Sequence, residues 1–146
     1  MTIQLTQAEA ADLLAMEKHA GEEVYQFPIT GGSVRIPVYS EDRHEEFFLD
    51  VTRSTIRLTK ATLQHRARKA VVLVRIDLDG PPHRNPDDTE VACPHIHYYR
   101  EGYGDKWAEP LPSWVTKPDN HMQTLQDLMG FCNVISLPKF ENELFQ

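Results

Sequence analysis

Three of the seven histidines, His83, His95 and His97, fall within the stretch Arg75–Trp107, together with four of the ten prolines, one of the two cysteines and one of the two tryptophans. Strand side chains alternate, so His95-Ile96-His97 puts two imidazoles on one face, and Cys93 and Tyr99 join them if the strand extends that far. Ile96 is the apolar member and marks the inward face. Gly80-Pro81-Pro82 stiffens the approach to His83, and Pro94 stiffens the approach to His95. Imidazoles titrate near neutral pH and bind metals, so a cluster of them around one rigid loop is where a site is expected.

Two chemistries suit these residue types. The first is acid–base cleavage of RNA without a cofactor. The 2′-OH of RNA can attack its own phosphate if one group takes its proton, another protonates the leaving oxygen and a cation steadies the phosphorane. His95 and His97 fit as base and acid in either order, with His83 in reserve. Arg75, Arg66 and Lys60 fit as phosphate clamps, Gln64 lies among them on the basic strand, and Tyr99 can donate to the phosphate or stack on a base. The second chemistry is metal binding. His83, His95 and His97 would supply three ligands to zinc or another divalent ion and leave a fourth position open. The Arg100–Asp105 segment has two glycines but no helix after it, so it does not read as a phosphate loop.

Several elements must position this stretch. Thr6 and Glu9 form a capping box for a helix over Gln7–Ala20, stopped by Gly21. Val24–Pro28 and Ser33–Tyr39 alternate around Gly31-Gly32 as a hairpin, and Pro28 and Pro37 place it at a sheet edge. Phe47–Val51 is a further strand. Ile56–Arg66 is a polar strand with Ile56 and Leu58 inward, and a bulge near Lys60–Thr62 restores the parity of Leu63. Ala70–Ile76 is β-branched and apolar enough to be central, and His95–Arg100 pairs nearby. Trp107 and Trp114 pin the irregular segment that follows. Asp119 caps a second helix with the stripe Met122, Leu125, Met129 and Cys132. Asn133–Leu137 adds a short last strand. The expected fold is therefore α+β: an N-terminal helix, a curled antiparallel sheet of five to six strands and a C-terminal helix, in one domain over residues 1–146.

Net charge is −7 but unevenly spread: residues 1–50 carry −7, residues 51–75 carry +7 with no acid, and residues 76–146 carry −7. Bulk attraction to nucleic acid is excluded, while a local grip on a few phosphates is not. No apolar run of about 18 residues suggests a membrane span. Two separated cysteines without an export signal fit free thiols in a reducing cytoplasm.

The path TLQHR…VVLVRID…GPPH…PHIH resembles the small TumE-like toxins, and the order of elements is similar to RelE/barnase-type ribonuclease domains. The matching positions are Gln64, Arg66, Arg75, Asp77, Pro82, His83, Pro94, His95 and His97, within about residues 55–97. The resemblance implies a ribonuclease toxin acting on RNA and neutralised by a helix-turn-helix antitoxin. The chain departs from the pattern in the insertion Arg84–Cys93, in the continuation from Tyr98 through a C-terminal helix, and in its acidity. His95-Ile96-His97 with Glu101 also looks like part of a cupin motif, although Thr89 and Ala108 stand where its glycines belong. That resemblance implies a metal held by His95, His97 and Glu101. A third reading is a non-enzymatic interaction module, such as a phage counter-defence protein, that presents segment 98–118.

Overall fold

The computed structural model describes residues 4–141. Thr6 caps helix α1 (Gln7–Ala15): its hydroxyl accepts from the Glu9 N–H at 3.1 Å, and the Glu9 carboxylate accepts from the Thr6 N–H at 2.9 Å. The helix ends at Ala15 rather than Ala20 because Lys18–Ala20 is a strand, β1. Strands β2 (Val24–Tyr25), β3 (Ser33–Ser40), β4 (Glu46–Arg53), β5 (Ala61–Ala67) and β6 (Val71–Leu78) follow. Then come β7 (His83–Arg84), β8 (Glu90–Val91), β9 (His95–Tyr98), β10 (Ala108–Pro110), helix α2 (His121–Phe131), β11 (Val134–Ser136) and β12 (Lys139–Phe140).

Eight of the strands form one sheet in the order β10-β9-β6-β5-β4-β3-β1-β11. Its neighbours are antiparallel except the last pair, where β1 and β11 run parallel. Two ribbons, β7–β8 and β2–β12, stand apart from it. The fold is thus a broad mixed sheet with two helices. The expected curled antiparallel sheet of five to six strands, RelE/barnase-like, is not what the chain forms. Strands β1, β10 and β11 have three residues each, too few to show alternation, and the β1–β11 pair joins Lys18 to Val134 across the chain.

One sheet face is the core, with Ile36, Phe47, Leu49, Leu63, Ile76 and Ile96 fully buried. Helix α1 adds Ala10 and Leu13 to it, and α2 adds Leu125, Leu128 and Met129. Lys18 is buried in it as well. Its ammonium donates to the carbonyls of Leu14, Met16 and Cys132 at 2.9, 2.8 and 2.7 Å. Burial pulls its pKa down to about 8, yet three acceptors take all three N–H groups, so the charge is kept at neutral pH.

Other local expectations shift. Ile56 and Leu58 are 89% and 69% exposed, because β5 starts only at Ala61. The register shift lies between His65 and Arg66 rather than near Lys60–Thr62. Tyr25 pairs with Phe140 rather than with β3, so the expected hairpin is absent. The α2 cap is Asn120, which accepts from the Gln123 N–H at 3.0 Å, and not Asp119. Trp114 does anchor its loop, stacked on Phe131 at 4.4 Å.

Candidate functional site

Register assembles the site. Across the β6–β9 pair, Arg75 stands opposite His97 and Asp77 opposite His95. Ile76 and Ile96, between them, point into the core and are fully buried. The four polar side chains therefore emerge together on the other face. That face is covered here: His95 is 3% exposed and His97 0%.

Asp77 is the hub. Its Oδ2 lies 3.2 Å from His95 Nε2, 3.1 Å from His97 Nε2 and 3.2 Å from the nearest Arg75 nitrogen. Arg75 also reaches Asp105, 2.5 Å away, and its NH2 is 3.0 Å from His97 Nε2. The far nitrogens of both imidazoles meet backbone carbonyls: His97 Nδ1 is 2.8 Å from Asp105 O, and His95 Nδ1 is 3.3 Å from Ala92 O. Burial on its own would raise the Asp77 carboxyl, but His97 and the Arg75 guanidinium beside it outweigh burial and hold it well below the usual carboxylate range. Burial likewise pulls His95 below the ordinary imidazole value, against the opposing charge of Asp77.

His83 reaches the same place from the β7–β8 ribbon. Its ring is 4.7 Å from that of His97 and 6.0 Å from that of His95. Its Nε2 faces Lys106 O at 2.7 Å, and because a carbonyl only accepts, this nitrogen is the donor. Asn85 ties the ribbon to the sheet: it donates to Ala108 O at 3.0 Å and accepts from the Ala108 N–H at 2.8 Å. Beside the ribbon lies a cleft of about 250 Å³, lined by Lys60, Thr62, Asp77, His83, Cys93 and His95 among others. Arg57 and Thr59 hold Asp79 at its rim.

Of the residues expected at the site, His83, His95, His97, Arg75 and Lys60 come to this centre or its cleft. Four others lie elsewhere. Tyr99 is buried, and its hydroxyl both donates to Leu5 O at 2.6 Å and accepts from the Leu5 N–H at 2.9 Å. Glu101 accepts from the Gln7 N–H at 2.8 Å, so the carboxylate beside the imidazoles is Asp77 instead. Arg66 shares the outward face with Gln64, but both converge on Asp50, at 2.5 Å and 3.0 Å. The basic stripe is in fact largely matched within the fold: Arg57 pairs with Asp79, Arg66 with Asp50, Arg68 with Glu45, and Arg75 with Asp77 and Asp105.

Asp77 escaped notice as a site residue in its own right, although the Arg-x-Asp spacing puts it on the same face as Arg75. Asp105 and the carbonyl of Lys106 carry no comparable signal, since a backbone acceptor is blind to side-chain type.

Residues 5–134 match the Family of unknown function (DUF6978). The chain belongs to that family. The match spans the whole centre, from Lys60 and Arg75 to Asp105, and both helices of the DUF6978 fold described above. No curated protein and no solved structure matches the chain.

Proposed function

We propose that the chain is an endoribonuclease that cuts RNA in the cleft beside Asp77 and His83. One observation supports this most: Arg75, Asp77, His83, His95 and His97, spread over two strands and a ribbon, converge on one polar centre beside a cleft that also exposes Lys60. These are residues that carry the likeness to ribonuclease toxins.

The roles follow from access. His97 is 0% exposed and cannot touch a phosphodiester, so it positions Asp77 and Arg75 rather than exchanging a proton with RNA. His83, half-buried on the cleft wall, takes the proton of the 2′-OH; the 2′-oxygen bonds to phosphorus as the bond to the 5′-oxygen breaks, and water in the cleft protonates that leaving oxygen. Lys60, on the cleft wall, meets the charge that builds on the phosphorane, and Arg75 holds Asp77 from behind it. A toxin role, restrained by a protein antitoxin, follows from the same likeness.

The test is a cleavage assay of purified protein on total cellular RNA. The wild type is expected to cut, and His83→Ala to lower the rate by roughly 10²–10⁴-fold, the usual contribution of a positioned acid or base. Induced expression of the wild type, but not of His83→Ala, is expected to arrest growth. RNA left intact by folded wild-type protein would sink the proposal.

A further inference from the structure

We infer that Asp77, His95 and His97 together bind a divalent transition-metal ion. The inference builds on the reading of this centre as catalytic and departs from the metal-free chemistry that the residue types first suggest.

A carbonyl oxygen only accepts, so Asp105 O at 2.8 Å and Ala92 O at 3.3 Å each call for a proton on the facing Nδ1. A guanidinium only donates, so Arg75 at 3.0 Å calls for a lone pair on His97 Nε2. His97 Nε2 thus faces a donor in Arg75 and an acceptor in Asp77 Oδ2, 3.1 Å away. His95 has no guanidinium beside it: its Nδ1 faces a carbonyl and its Nε2 lies 3.2 Å from the same Oδ2. Three atoms that can each ligate a metal thus gather around one point, all within 4.8 Å of one another. A cation among them would replace the imidazole–carboxylate contacts by coordination.

Three further features fit. Imidazoles that bind metals commonly donate their other N–H to a backbone carbonyl or carboxylate, as both do here. Ligand atoms bonded at about 2.1 Å to one ion stand roughly 3.0–3.4 Å apart between octahedral and tetrahedral angles, which is the spacing of each imidazole from Asp77. And the formal charges at the centre, Asp77 and Asp105 against Arg75, sum to −1, which an ion reverses. Two nitrogens and one carboxylate favour a zinc- or iron-class ion over magnesium or calcium, which prefer oxygen. Asp77 and His95 both line the cleft, so the remaining coordination positions can open toward substrate.

Arg75 is the rival cation. Its NH2 already contacts both His97 Nε2 and Asp77 Oδ2, and the ion requires it to swing toward Asp105, which holds its other terminal nitrogen.

The experiment is titration of the full chain, stripped with a chelator, with Co²⁺ and then Zn²⁺. Cobalt is read by its visible d–d absorption and zinc by calorimetry. One equivalent of cobalt is expected to bind with nitrogen–oxygen coordination and be displaced by zinc. Asp77→Asn and His95→Gln, both close in shape and checked for folding by circular dichroism, are expected to weaken binding at least about tenfold. Arg75→Ala is expected to tighten it. Absence of stoichiometric binding to the wild type overturns the inference, as does binding that Asp77→Asn and His95→Gln leave unchanged. The outcome is separable from the ribonuclease proposal. Metal binding without RNA cleavage would sink only the latter, and cleavage by a protein that binds no metal would sink only this inference.

Discussion

Tyr99 and His97 are two residues apart, and strand alternation alone assigns them one role. The strand ends between them. Tyr99 turns to the N-terminal segment, where a single hydroxyl serves both the N–H and the C=O of Leu5. Tyr99→Phe leaves both groups without that partner and is expected to cost about 1–3 kcal/mol in urea unfolding, with cleavage by the folded protein unchanged. A large loss of activity in a stable Tyr99→Phe protein would instead return Tyr99 to the site. At this scale the sequence is readable where chemistry resides in side chains of unusual type. His83, His95, His97 and Arg75 announce themselves by type and spacing. Asp77 is half-visible, since an aspartate two places from an arginine is common in any solvated strand. The partners that set the imidazole tautomers are carbonyls, and no residue letter encodes them.

Between elements, the decisive facts are pairing and register. Long alternating runs such as β3, β4 and β6 can be read from the chain because each buries one face. The three-residue strands cannot, because they exist only where a distant partner completes them. Ile56 and Leu58 mislead for a related reason: two apolar residues at strand spacing look inward, but no neighbouring strand extends far enough to cover them. The ribbon bearing His83 depends on one buried contact, the paired hydrogen bonds between Asn85 and the backbone of Ala108. Asn85→Ala removes both and strands a buried N–H and C=O, an expected loss of roughly 2–4 kcal/mol in chemical denaturation. In the same variant the NMR ring signals of His83 are expected to shift and broaden more than those of His65, which lies on the opposite face. Equal changes at both would mean that Asn85 supports the fold in general and not the ribbon.

Across the whole molecule, charge is organised pairwise. The block of seven bases between residues 51 and 75 reads as a nucleic-acid stripe in one dimension, but in the fold most of it faces acids from β4, from the turn before it and from around the cleft. No helix among the described residues is long and apolar enough to cross a membrane. The core also contains a titratable group. His65 is buried and stacked on Phe47 at 5.3 Å. Burial, with Lys18 close by, pulls its pKa down to about 3. The unfolded chain takes up this proton below about pH 6.5 while the folded chain refuses it until about pH 3, so stability is full above pH 6.5 and falls as pH drops through that window. Between pH 7 and pH 4 this contributes a loss of about 3 kcal/mol. His65→Leu is expected to remove that part of the acid sensitivity, measured as the difference in urea stability between the two pH values. An undiminished difference would place the acid sensitivity on the carboxylates instead.

The pairing of Asp77 with His95 and of Arg75 with His97 is set by the ladder between β6 and β9, and not by the length of chain that joins them. Residues 79–94 can therefore grow or shrink in related chains while the centre keeps its dimensions. The ribbon within that connection carries His83 and forms the lip of the cleft, so selection for a new substrate can rewrite the lip around His83 while Arg75, Asp77, His95 and His97 keep their places. For an engineer, Gly80 and Cys93 mark where one lip can be exchanged for another that keeps an imidazole at the place of His83.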